Sequence, residues 1–273
     1  MTLRDALQYG AKLIGHRDAM LLLSHITNKS SAMVLLHENQ FLAESEKYLD
    51  YVSRHKNGEP LQYIIGKWEF MGQEFLTDNR ALIPRPETEL LVEEVLKFIN
   101  NRELHVLDMC TGSGCIAVAI KKLAPKTIVT AVDISSEALE LAKTNANNLE
   151  IEFIQSDLFS AFNDCKKFDV IISNPPYIPT SEIATLETTV RDYEPHLALD
   201  GGADGLVLYR RLVPESFEFL HPNGVLFLEI GHILAAQLLI KSGFKDVKIL
   251  NDYAEIPRII TGKKGVTTKC LTV

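Results

Sequence analysis

The apolar positions change period along the chain. In residues 1 to about 60 they recur at helical spacing: Leu3, Leu7 and Leu13-Ile14, then Met20-Leu21-Leu22-Leu23 with Ile26, then Phe41-Leu42, Tyr48-Leu49 and Val52. Apolar residues three and four apart form one stripe of a helix, so this region predicts short amphipathic helices. Asp18 and Ser30-Ser31 suit two helix starts, because a short oxygen-bearing side chain accepts from the unpaired N–H groups of a first turn. Gly58-Glu59-Pro60 interrupts the pattern. Residues 63–70 and 73–76 then read as two strands around Met71-Gly72, a hairpin linker. Pro84-Arg85-Pro86-Glu87-Thr88-Glu89 opens a helix. Proline at the first helical position lacks an N–H that would be unpaired anyway, and acids there meet the positive end of the helix dipole.

From about residue 104 short apolar runs alternate with helical stretches. Strands are expected at 104–107, 127–132, 151–154, 168–173, 225–230, 245–250 and 258–261. Helices are expected at 115–122, 135–148 (capped by Ser135), 208–220 and 233–242. Such alternation gives an α/β domain, a mostly parallel sheet with helices on both faces. Right-handed crossovers leave a crevice at the carboxyl ends of its strands. The expected division is a helical domain with hairpin linker at 1–75 and an α/β domain at 76–273.

Composition narrows the class. With 46% hydrophobic and 23% charged residues the chain reads as globular rather than disordered. No apolar run approaches the roughly 20 residues of a membrane helix. The first residues lack the apolar core of a signal peptide. A cytoplasmic protein with no membrane partner is expected. The net charge of −8 argues against a surface built to grip nucleic acid. Four cysteines, at 110, 115, 165 and 270, fit no zinc spacing and are expected as free thiols. His16, His25, His37 and His55 are scattered, and no metal site is expected.

The first strand of the α/β domain runs into Asp108-Met109-Cys110-Thr111-Gly112-Ser113-Gly114, and a helix follows at once. Glycines at 112 and 114 let the backbone turn tightly and approach a ligand. No Gly-Lys-Ser/Thr ending is present, so this is not a phosphate loop. Asp108 suits a ligand that carries positive charge. Asp133, at the next strand end, stands where an acid binds ribose hydroxyls in dinucleotide folds. Asp157 ends the third strand and is placed to accept from an adenine amino group. Three acids at successive strand ends describe a pocket for a nucleoside without phosphate. NAD is the competing ligand; the missing third glycine and the extra acid count against it.

The fourth strand, 168–173, ends in Asn174-Pro175-Pro176-Tyr177. Two prolines cannot continue a strand ladder, so the backbone is fixed at the crevice. A planar NH2 group there would meet the Asn174 side-chain oxygen and the Pro175 carbonyl, and would stack on Tyr177. Its lone pair is delocalised, and two acceptors favour the electron distribution that frees it for attack on a sulfonium methyl.

These motifs resemble the HemK-type release factor glutamine methyltransferases. The resemblance rests on Pro84-Arg85-Pro86-Glu87-Thr88-Glu89, the loop 108–114, Ser173 to Tyr177, and Glu194-Pro195, Ala198-Leu199, Gly201-Gly202, Asp204-Gly205-Leu206 and Tyr209-Arg210. Asp252-Tyr253, Arg258 and Gly262 resemble the C-terminal end. Asn-Pro-Pro-Tyr alone is shared with adenine-N6 methyltransferases; the flanking segments make the match specific. The resemblance implies a Rossmann-like seven-stranded class I methyltransferase domain behind a small N-terminal helical domain and hairpin linker. It implies methyl transfer from S-adenosyl-L-methionine to N5 of the glutamine in the Gly-Gly-Gln loop of bacterial class I peptide chain release factors. It also implies that Cys110, Thr111, Gly112, Ser113, Gly114, Asp133, Leu158 and Asn174 bind the cofactor, and that Asn174, Pro175, Pro176 and Tyr177 hold the glutamine. Met109-Cys110 departs from a more usual Leu-Gly, a change expected to cost little if position 110 has an ordinary backbone conformation. Leu158 replaces a tryptophan of some members, so adenine stacking is expected either to be weaker or to pass to Phe159.

Three alternatives follow from the same residues. A ribosomal protein would offer the same glutamine chemistry. An adenine-N6 nucleic-acid methyltransferase would need a basic surface, and only pairs such as Lys121-Lys122, Lys166-Lys167 and Lys263-Lys264 occur. A non-catalytic cofactor-binding module would not need an intact Asn174-Pro175-Pro176-Tyr177. A monomer with a protein substrate and no direct nucleic-acid binding is expected.

Overall fold

The computed structural model describes residues 1–163 and 165–265, so Cys270 lies outside it. The chain forms two units, residues 1–68 with 187–193, and residues 69–186 with 194 onward.

The first unit holds α1 (Leu3–Ile14), α2 (His16–Thr27), α3 (Ser31–Leu36), α4 (Ser45–Lys56) and α5 (Leu61–Ile65). Thr2 and Asp5 form a reciprocal cap on α1: the Thr2 hydroxyl accepts from the Asp5 N–H at 3.1 Å, and the Asp5 carboxylate from the Thr2 N–H at 3.0 Å. Ser30 caps α3 as expected, whereas Asp18 sits inside the first turn of α2, which follows directly on Gly15. Leu3, Leu22, Leu23, Val34, Tyr48 and Val52 make the core. The buried Tyr48 hydroxyl donates to the Ala6 carbonyl at 3.0 Å.

Residues 63–65 are helical, not the start of a strand. Pro60 precedes α5 and Gly66, at φ 77°, ends it, so Leu61 and Ile64, three apart, are buried on one face. The hairpin is therefore shorter than expected, β1 (Lys67–Phe70) and β2 (Gln73–Leu76). Met71 and Gly72 both take positive φ, which matches a two-residue turn to the twist of its strands. The segment Glu187–Tyr193, containing α10 (Thr188–Arg191), belongs to this unit, and the Tyr193 hydroxyl donates to the Asn57 carbonyl at 3.4 Å.

The second unit begins with α6 (Pro86–Ile99), whose first residue is the proline the sequence suggested. It continues with β3 (His105–Met109), α7 (Cys115–Leu123), β4 (Ile128–Asp133), α8 (Ser136–Ala146), β5 (Ile151–Gln155), β6 (Phe168–Ser173), α9 (Thr180–Ile183), α11 (Val207–Phe219), β7 (Leu220–Glu229), α12 (Ala235–Lys241), β8 (Lys245–Asn251) and β9 (Pro257–Lys263). The seven-stranded sheet runs β5-β4-β3-β6-β7-β9-β8. Its first five strands are parallel, and β9 is antiparallel to both neighbours. Val106, Leu107, Val170, Ile171, Leu226 and Leu228 are fully buried in the central strands, as a sheet covered on both faces requires. β4 and β6 flank β3 on opposite sides, so the strand order reverses there and opens a crevice at their carboxyl ends. No helix among the described residues is long and apolar enough to cross a membrane.

Candidate active site

The loop after β3 is held by its acids. Asp108 is fully buried; its Oδ2 accepts from the Thr111 hydroxyl at 2.5 Å and from the Ala117 N–H at 3.1 Å. Its Oδ1 has no hydrogen-bond partner. Burial pushes this carboxyl up to about 7. Expected to meet a cationic ligand, Asp108 is instead turned into the loop, which it ties to α7, and does not line the crevice. Asp133 accepts from the Gly112 N–H through Oδ2 and from the Ser135 N–H through Oδ1, both at 2.9 Å. Each oxygen keeps a further lone pair for a ligand, and burial raises this carboxyl too.

Gly112 and Gly114 take φ of 54° and 79°. Gly114 serves packing: a Cβ there would stand 2.9 Å from that of Ala142. Cys110 does not have the ordinary conformation assumed for it. Its φ of 63° is in the left-handed region, where a residue with a Cβ loses roughly 1–2 kcal/mol. Leu158, buried at the crevice wall, is left-handed as well, at 49°. Phe159 does not take over a stacking role in the crevice; it stacks on Phe219 with centroids 4.6 Å apart. Asp157 is exposed at the rim and accepts from Arg211 at 3.0 Å.

These parts bound a cavity of ≈ 590 Å³, within the usual range for small-molecule sites. Its wall includes Cys110, Thr111, Gly112, Ser113, Asp133, Asp157, Leu158, Asn174 and Pro176 of the residues the sequence singled out. Asp108, Gly114, Pro175 and Tyr177 are not in the wall. The donor set fits S-adenosylmethionine: Asp133 is a carboxylate with free lone pairs at the end of β4, and the glycine loop beside it is open to close approach.

Beside this cavity the Asn174–Tyr177 turn is stapled down. The Ser173 hydroxyl donates to the Met109 carbonyl at 2.6 Å, fastening the end of β6 to β3. Asn174 Nδ2 donates to the Thr88 hydroxyl at 3.1 Å, and Thr88 donates to Glu229 Oε2 at 2.6 Å. The Tyr177 hydroxyl donates to Glu229 Oε1 at 3.3 Å, and that of Tyr209 to the Glu229 carbonyl at 2.6 Å. Burial raises the Glu229 carboxyl, while the Thr88 hydrogen bond and the charge of Arg258 pull it back down.

The glycine signatures have a steric reason. A Cβ on Gly231 would stand 2.5 Å from the Tyr177 ring, one on Gly201 2.7 Å from the Tyr177 Cα, and one on Gly205 2.3 Å from its carbonyl oxygen. The segment with a 3-10 turn at His196–Ala198 pairs with the end of the Asn174–Tyr177 turn, Ile178 donating to the Leu199 carbonyl and accepting from Gly201. Glu194, buried, pairs with Arg85 and accepts from the Ile83 N–H at 3.1 Å, which fixes another cavity wall.

Sequence reasoning missed Thr88, Glu194 and Glu229 as parts of the site. Glu229 carried a signal: it is an acid ending an apolar strand, like Asp108 and Asp133. Thr88 stands in the Pro84–Glu89 segment that carries the resemblance, but by its own chemistry it reads as an ordinary first-turn residue.

Comparison with known proteins agrees with this geometry. Residues 86–202 match the Methyltransferase small domain family, and residues 6–66 the PrmC N-terminal domain family. A release factor glutamine methyltransferase of Koribacter versatilis is 41% identical over 97% of this chain and 99% of its own length. One from Clostridium acetobutylicum is 38% identical over 91% of each chain. Among solved structures, the T. Thermophilus 16S rRNA N2 methyltransferase RsmC, in complex with AdoMet and guanosine, shares the fold at a TM-score of 0.54 and 20% identity, over 72% of this chain and 49% of that one. Identity at this level over nearly the whole of both chains, on a sheet and crevice of this order, shows that the chain belongs to the release factor glutamine methyltransferase family.

Proposed function

We propose that this chain methylates the side-chain amide N5 of the glutamine in the Gly-Gly-Gln loop of bacterial class I peptide chain release factors. The observation that carries the chemistry, methyl transfer to a planar side-chain amide, is the setting of Asn174. Its Nδ2 is engaged by Thr88, which leaves Oδ1 as the acceptor at the cavity wall. A carboxamide NH2 complements that oxygen together with the Pro175 carbonyl. S-Adenosyl-L-methionine, when bound, supplies the electrophilic methyl group.

The chain's own residues do the rest. Cys110, Thr111, Gly112 and Ser113, with Asp133, Asp157 and Leu158, would hold the cofactor. Asp133 would receive the ribose hydroxyls on the lone pairs that the loop leaves free. Asn174 Oδ1 and the Pro175 carbonyl would draw the two amide hydrogens into one plane, so that the nitrogen lone pair faces the methyl donor. Positioning of this kind supplies much of a transfer barrier. Acceptors aimed at the nitrogen also stabilise the positive charge it gains. That charged nitrogen is strongly acidic, so its proton leaves without a dedicated base. Pro175 and Pro176 keep the turn rigid, and Tyr177 anchors it to Glu229. On this reading the enzyme works in the cytoplasm as a monomer on a protein substrate.

The test is transfer of labelled methyl from the cofactor to purified release factor, ribosomal proteins, tRNA and duplex DNA. Label is expected in the release factor and absent with Asn174→Ala. Label confined to a ribosomal protein or to nucleic acid would overturn the proposal.

A further inference from the structure

The acceptor face of Asn174 needs an explanation. A side-chain amide has two near-isosteric orientations, one presenting oxygen to the cavity and one presenting NH2. Only the first accepts a substrate hydrogen. Two groups decide between them. Glu229, 1% exposed at the end of β7, is an acceptor when ionised. Its Oε2 stands 2.6 Å from the Thr88 hydroxyl, so Thr88 must give its single hydrogen there. The Thr88 oxygen can then only accept, and the group 3.1 Å away is the Asn174 side chain. Asn174 must therefore turn its NH2 to Thr88. A buried donor and acceptor left mismatched lose their hydrogen bonds with no water to replace them, which is enough to fix the orientation. Thr88 itself is 3% exposed and cannot exchange these partners for bulk water.

We propose that Thr88 and Glu229 are positioning residues: the Glu229 carboxylate, acting through the Thr88 hydroxyl, holds Asn174 with its oxygen toward the substrate amide. The same carboxylate accepts from Tyr177 on its other oxygen, so one buried group orients both ends of the Asn174-Pro175-Pro176-Tyr177 turn. Its role in turnover rests on the function proposed above; the donor chain itself does not.

The experiment has two arms on the full chain. In 15N-asparagine-labelled protein, the Asn174 side-chain amide, assigned by its loss in Asn174→Asp, is expected to exchange slowly with solvent. Exchange should quicken in Thr88→Val, which keeps the shape but not the hydroxyl, and return in Thr88→Ser. In methyl transfer to a release factor, Thr88→Val should lower kcat by about 10- to 100-fold, with cofactor KM little changed, and Thr88→Ser should recover most of it. Glu229→Gln, whose amide can donate to Thr88 and so permits the reversed chain, should fall with Thr88→Val and stands in if that variant does not fold. Exchange and kcat of Thr88→Val matching the wild type would overturn the proposal. Wild-type protein that transfers no methyl to the release factor would sink the functional reading instead, and the exchange arm would still decide the donor chain.

Discussion

Two residues at the cofactor loop carry opposite lessons about local chemistry. Cys110 holds a left-handed backbone with a Cβ attached, at φ 63°. Glycine pays no steric penalty there, although it loses more freedom on folding. Cys110→Gly should therefore match or exceed the wild type in urea stability, by up to about 1 kcal/mol. Cys110→Val, β-branched at the same φ, should be the least stable of the three. Any other order would show that the thiol's packing outweighs the backbone strain. Asp108 is a matter of protons. Its carboxyl is pushed up to about 7 by burial, whereas an unfolded Asp titrates near about 3.9. The folded state thus holds an extra proton between these values. Its stabilising effect is complete at the acid end of that window, declines as pH rises through it, and is gone above about 7. Asp108→Asn does not titrate, so in the cofactor-free protein it should gain on the wild type as pH rises from 5 to 8, read from urea midpoints. Parallel pH curves would contradict this. Neither property was legible in the sequence. Composition shows which residue stands at 110, not its φ, and an acid at a strand end looks the same whether it faces a ligand or its own loop.

Among the elements, those with strong local signals were read well. β6 (Phe168–Ser173) falls where its apolar run places it, and Ser135 caps α8 by accepting from the Ala138 N–H at 3.1 Å. α5 was missed because Tyr63-Ile64-Ile65 has β-branched residues that suit a strand, while Pro60 and Gly66 with the buried Leu61 and Ile64 decide for a helix. Residues 199–202 gave no periodic signal, since they are ordered by pairing with Ile178 and Thr180, just after the Asn174–Tyr177 turn, rather than by a stripe of their own. That dependence gives a prediction. Gly205 has φ 71° and no room for a Cβ, which would stand 2.3 Å from the Tyr177 carbonyl oxygen. Gly205→Ala should destabilise by about 1–3 kcal/mol and should lower methyl transfer further than that loss of folded protein accounts for. Activity that tracks only the folded fraction would mean the segment is a passive neighbour of Tyr177.

For the whole molecule, the parallel part of the sheet and its crevice follow from alternation, the antiparallel β9 does not, and the chemistry follows from where two short motifs fall on that sheet. The identity of the substrate does not follow from geometry. It comes from likeness along nearly the full length of the chain to proteins named for release factor glutamine. The first unit is discontinuous, taking residues 187–193 from far along the chain, so a truncation starting at Glu69 would strip that segment of Gly58 and Asn57. Assays of substrate choice therefore belong to the full chain. The most direct of them is peptide mass spectrometry of an unmethylated release factor incubated with this protein and S-adenosyl-L-methionine. The expected result is the mass of one methyl group on the peptide holding Gly-Gly-Gln, with fragment ions placing it on the glutamine side chain and no gain with Asn174→Ala. A methyl group on any other residue, or none while the cofactor is demonstrably bound, would contradict it.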